Sequence, residues 1–154
     1  MSTFYGLSSS EETSFNLINK IENQADYVIR FAYCLTLNMV DSEVLCQEVF
    51  KEAVQKGVAF WDKETRVLRN ALFEIVWQKY NSQNSKSDVD EIKPNDLKIS
   101  KVIKSMDLIN RTVLVLIDAL GVDPAFSFKL LGVSEQEGRQ KLSDSRQQLV
   151  NFKF

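Results

Sequence analysis

Histidine is absent from the 154-residue chain. That removes the commonest general base and the commonest transition-metal ligand. Cysteine occurs twice, as Cys34 and Cys46, each within an apolar-periodic segment. Such placement points to buried thiols rather than a disulfide or a metal site. The five glycines are too scattered to cradle a phosphate, and no Gly-x-Ser-x-Gly nucleophile motif occurs. No catalysis, cofactor or metal is therefore expected. No apolar run approaches the ~20 residues of a membrane span. The opening MSTFYGLSSSEE also lacks the basic start and apolar core of a signal peptide. These absences lead to the expectation of a cytoplasmic protein with no membrane partner. A basic excess is missing too. Through Ser87 there are 9 Lys+Arg against 11 Asp+Glu, and beyond it 10 against 10. Neither half has the charge of a strong nucleic-acid binder.

What is present is helix. The expected fold class is all-α: two small helical domains, residues 1–80 and 97–154, joined by a polar linker at 81–96. Ser9 with Glu12 three residues on suggests a capped start. The periodicity predicts one helix from about Glu11 to Asn23 and a second from about Gln24 to Leu37. LNMVD breaks the pattern. Asp41 or Ser42 should cap a third helix to about Lys56, ended by Gly57. A fourth is expected from about Lys63 to Tyr80. NSQNSKSDVDEIKPND is polar and contains Pro94, the composition of a linker.

Beyond it, KISKVIKSM reads as a short helix. Asp107 should cap LINRTVLVLIDAL, whose apolar middle implies burial. In GVDPAFSFKLLG, Asp123 is a cap, Pro124 the first helical residue and Gly132 the stop. Ser134 and Glu137 have capping-box spacing. Two short helices joined by a tight Leu-Gly-Val-Ser turn, packed on a buried helix, describe a helix-turn-helix.

Two stretches carry a family resemblance. DSEVLCQEVF, residues 41–50, resembles the region 2 helix by which bacterial sigma factors dock on the RNA polymerase clamp. NRTVLVLIDALGVDPAFSFKLLGVSEQEGRQKLSDSRQQL resembles their region 4. Leu114, Leu116, Gly121, Leu131, Gly132, Ser134, Leu142, Arg146 and Leu149 fall where that pattern expects them. The chain from about Phe15 to Leu149 is thus similar to the small extracytoplasmic-function class. The resemblance implies docking on core RNA polymerase through Glu43, Val44, Gln47 and Glu48. It implies downstream promoter contacts from Arg69, Asn70, Phe73, Trp77 and Lys79, and upstream contacts from Arg139, Gln140, Lys141 and Arg146. An anti-sigma or other regulatory protein is an expected further partner.

The same surfaces depart from the family. Val44 stands where the family usually has Asp. Ala71 and Val54 stand where tryptophans are common. Glu74 and Trp77 fall at positions usually basic or polar, and NSQNSKSD replaces a basic run. From Glu135 to Phe154 there are 4 basic and 3 acidic residues, too little for strong duplex affinity.

Each surface therefore has two readings. Val44, among Gln47, Glu48 and Lys51, is either a lone surface valine or the apolar centre of a partner face. Its helix should bury Leu45, Cys46, Val49, Phe50, Ala53 and Val54. On the fourth helix Arg66, Asn70, Phe73, Trp77 and Tyr80 should face away from the core stripe. They form either a second packing face or a platform for unstacked bases. The last helix is either scaffold or a reader of the major groove. The functional alternatives are a transcription initiation factor with weak DNA binding of its own, and a degenerate sigma-like regulator. The regulator would bind protein, including a second copy of itself.

Overall fold

The computed structural model describes residues 9–83, 89–94 and 97–152, with side chains from residue 16 onward except that of residue 98. All regular structure among them is helical: α1 Ser9–Thr36, α2 Met39–Gln55, α3 Val58–Trp61, α4 Thr65–Ser82, α5 Lys98–Ser105, α6 Leu108–Leu114, α7 Pro124–Leu131 and α8 Glu135–Asn151. α6 runs on through a π-helical turn, Val115–Ala119. The capping expected of Ser9 and Glu12, and linker positions 84–88 and 95–96, lie outside what is described.

α1 is one helix where two were expected. No glycine or proline interrupts it, and its buried positions Gln24, Val28, Phe31, Ala32 and Leu35 keep one 3.6-residue period. Gln24 marks the expected break, but its Oε1 accepts from Arg69 Nε at 2.9 Å, so the helix continues through it. α1 stops at Leu37, which takes the left-handed conformation with φ 51°. Its N–H donates to Tyr33 O at 2.8 Å.

α2 begins earlier than expected. Asn38 caps it, with Oδ1 accepting from Asp41 N at 3.0 Å. Ser42 is buried inside the helix, its hydroxyl donating to Met39 O at 2.7 Å. Gly57, with φ 87°, ends the segment as expected. The indole N–H of Trp61 then donates to Ala53 O at 2.9 Å, satisfying a carbonyl in the last turn of α2.

The second unit follows local sequence closely. Asp123 accepts from Phe126 N, Pro124 opens α7, and Gly132 closes it in the left-handed region. Val133 N donates to Phe128 O and Gly132 N to Lys129 O, a Schellman pair. Ser134 Oγ accepts from Glu137 N at 3.1 Å. Asp107 departs from expectation. It precedes α6 in extended backbone but makes no side-chain cap.

α4 packs against both α1 and α2, and α8 against α6. The two units also pack on each other, α1 against α6 and its π turn, α4 against α7. One continuous apolar core results, running from Val28, Phe31 and Phe73 to Leu116, Phe128 and Leu142.

Candidate interaction surfaces

Glu43, Val44, Gln47 and Glu48 all stand exposed on the outer face of α2. Val44 is 46% exposed, and Met39 (54%) and Val40 (68%) extend the apolar strip toward the N-terminus of α2. Val40 and Val44 share one face at i, i+4 spacing, a signal present in the sequence that periodicity centred on Val44 passed over. The inner stripe is narrower than expected. Ser42, Leu45, Val49 and Ala53 are buried, Cys46 and Phe50 half-buried, and Val54 is exposed. Ile21 and Ala25 of α1 face Cys46, Phe50 and Val54 across an open groove. It leads to a pocket of about 310 Å³ against Leu17, Val58 and Trp61. On the other flank α2 is tied to α4 and the chain beyond it. Lys79 Nζ lies 3.3 Å from Glu52, and Gln83 Nε2 donates to Glu48 at 3.4 Å.

α4 corrects an expectation. Phe73, expected to face away from the core stripe, is wholly buried and meets Phe31 edge-on at 5.0 Å. The reason is tertiary. α4 lies between two helices, so its buried arc includes Phe73 as well as Leu68, Leu72, Ile75 and Val76. Trp77 and Tyr80 are half-buried and stacked at 6.3 Å. Asn70 is half-buried, while Arg66 and Glu74 are exposed. The Arg69 guanidinium lies 3.5 Å over the Tyr27 ring while bonding Gln24. Arg69 and Lys79 thus both have partners within the first unit.

α8 presents its polar side outward. Arg139 bonds Glu135 at 2.7 and 3.0 Å, one turn back. Gln140 donates to Asp144 at 2.8 Å. Lys141 is half-buried. Arg146 reaches Asp118 of the π turn with two bonds of 2.8 Å. That hydrogen bond holds the Asp118 carboxyl below its ordinary range, against partial burial and with help from the opposite charge. These pairs are solvent-exposed and so individually weak. On the inner side Gly138 faces Phe128, and the buried Ser145 hydroxyl donates to Asn110 O at 2.9 Å.

The seam between the units is the feature that sequence reasoning missed. Arg111 of α6 donates to Cys34 O at 2.7 Å, Leu35 O at 2.9 Å and Met106 O at 3.2 Å. Two of those carbonyls belong to the last turn of α1, where no intrahelical donor remains and the helix dipole favours a cation. The Cys34 thiol answers by donating to Arg111 O at 3.7 Å. Burial pushes that thiol up to about 12, although the adjacent Arg111 charge opposes the shift. The clue in the sequence was a charge in a segment read as buried nearly all round.

Among the described residues no helix is long and apolar enough to cross a membrane, and no group of three or more metal-ligating side chains comes together. No protein-family model and no curated protein matches the chain. It is similar to a solved structure, the sigma factor RpoE in complex with the anti-sigma factor NepR from Bartonella quintana. The TM-score is 0.63 at 17% identity, covering 86% of this chain and 92% of that one. The fold is therefore all-α and like that of an extracytoplasmic-function sigma factor.

Proposed function

We propose that this chain is a sigma-like transcription protein that acts through protein contacts, with promoter reading held off while its two units are docked. The seam carries this reading. Arg111 bonds the end of α1, and one core runs beneath both units. In the activity the resemblance implies, the first unit opens the downstream promoter element and the second holds the upstream one. Reaching two separated elements at once would require the docked units to part. Four of the five basic side chains assigned to DNA are also engaged within the chain: Arg69 with Gln24, Lys79 with Glu52, Arg139 with Glu135 and Arg146 with Asp118.

The outer face of α2 supplies the protein contact. An exposed apolar centre at Val44, rimmed by Glu43, Gln47 and Glu48, is a usual interface arrangement. Core RNA polymerase is the partner the resemblance implies for it. The similar RpoE structure is a complex with an anti-sigma factor, so a protein of that kind is the second partner class.

One feature favours the other reading, a promoter-recognising initiation factor. The helix-turn-helix keeps its caps and its tight turn, and Arg139 and Gln140 are exposed. On that reading Arg69, Asn70, Trp77 and Lys79 meet the downstream element, and Arg139, Gln140, Lys141 and Arg146 the upstream one. Phe73 would first have to leave the core.

A pull-down with core polymerase, paired with reconstituted transcription, separates the two. The proposal expects polymerase binding without promoter-dependent transcripts. Transcripts that vanish with Arg139→Ala plus Lys141→Ala would establish the initiation factor instead. Absence of polymerase binding would sink the docking assignment.

A further inference from the structure

We infer that the corner between α1 and α2 is a latch, closed by Arg111 from the second unit and Asp90 from the linker, and that its release parts the two units. The inference rests on the docked-unit reading above and gives that docking a mechanism.

Three observations meet at this corner. First, α1 ends at Leu37 in the left-handed region, a conformation strained for a leucine. A backbone held there must be over-determined by its surroundings. Second, part of what holds the turn comes from outside the first unit, beside the internal bond from Leu37 N–H to Tyr33 O. Arg111 bonds the carbonyls of Cys34 and Leu35, three and two residues before Leu37. Asp90 bonds two groups of the turn itself. Its N–H donates to Leu37 O at 2.8 Å, and its carboxylate accepts from Met39 N at 3.0 Å. Third, these bonds close in sequence order along one turn of backbone: carbonyls 34, 35 and 37, then the N–H of 39. A linker that served only as a spacer would not place its own backbone and carboxylate on the turn.

Guanidinium geometry matters here. Arg111 holds three carbonyls with three different nitrogens. A lysine ammonium is a compact point charge and does not reproduce that fork. Asp90 acts at a helix start, where a carboxylate is favoured by unpaired N–H groups.

The seam contains its own probe. Cys34 is buried where α1 meets α6, bonded to Arg111 O and Thr112 Oγ1. Opening the units hydrates this thiol and raises its reactivity. In the 154-residue chain with Cys46→Ser, Cys34 is the only thiol, and its rate of reaction with a water-soluble disulfide reagent reports the seam.

Asp90→Ala and Arg111→Lys are each expected to speed Cys34 labelling at least tenfold, with far-UV circular dichroism unchanged. Labelling at the parent rate in both variants would overturn the latch. Should Arg111→Lys lose its helical signal, Asp90→Ala decides alone, since Asp90 lies in the linker outside the apolar core. The assay contains no polymerase. A negative polymerase pull-down therefore refutes the docking assignment while leaving the labelling result to judge the latch.

Discussion

Gly138 is a residue whose role reverses between sequence and structure. In the sequence it is a glycine, a poor helix former, within the stretch that resembles region 4. In the fold it lies on the inner side of α8, where an added Cβ would fall 2.5 Å from Phe128 Cε1 and 2.6 Å from Cγ. Alanine is the better helix former by about 1 kcal/mol. Overpacking a buried ring costs roughly 1–3 kcal/mol, and Cγ, next to the ring's own Cβ, has little room to swing aside. Gly138→Ala is therefore expected to lower Tm, by up to roughly 8 °C, measurable by calorimetry. Val44 is the opposite case. Its exposure was legible from helical periodicity alone, because its neighbours at one turn's distance are Val40, Gln47 and Glu48. Restoring an acid with Val44→Asp should tighten core-polymerase binding several-fold in a titration. Unchanged or weaker binding would refute the docking role of this face. Phe73 was not legible. Its period places it off the core stripe, and only a second neighbouring helix makes that side of α4 interior.

At the scale of elements, local chemistry was read correctly where the interaction is local. The caps of α7 and α8 join residues three apart, so Asp123, Gly132 and Ser134 declare them. The start of α2 misled because Asn38, Asp41 and Ser42 are all good caps, and the choice among them depended on where α1 ended. The π turn after Leu114 had no sequence signal. It sits where Asp118 meets Arg146 of α8. Asp118→Asn should loosen Arg146. Duplex DNA binding is then expected to tighten several-fold at low salt, and the slope of log K against log salt to steepen by about 0.9 for one added phosphate contact. An unchanged slope would place Arg146 away from DNA. The pair also carries a pH dependence. The folded carboxyl is held below its ordinary range, so the stabilisation is present above that range and lost as pH falls through the folded value. Its size is about 0.5 kcal/mol for an exposed pair, visible as a difference in Tm between Asp118→Asn and the parent at neutral pH that closes in acid.

At the scale of the whole molecule, a shared core couples the units. Both tryptophans, Trp61 and Trp77, belong to the first unit, whereas circular dichroism reports helices of both. The two signals should follow one coincident urea transition. Separated midpoints would mean that the units fold independently and that the seam contributes little. The sequence by itself determined the helical class, the caps and tight turn of α7 and α8, and the outward position of the α2 and α8 polar faces. All of these follow from spacings of three to four residues, within which a chain's neighbours are dictated by helix geometry. The tertiary structure alone decided the burial of Phe73, the partners of Arg69, Lys79 and Arg146, and the grip of Arg111 and Asp90 on the end of α1. Those contacts join residues up to 77 apart, where no periodicity applies and position is set by which apolar faces find each other.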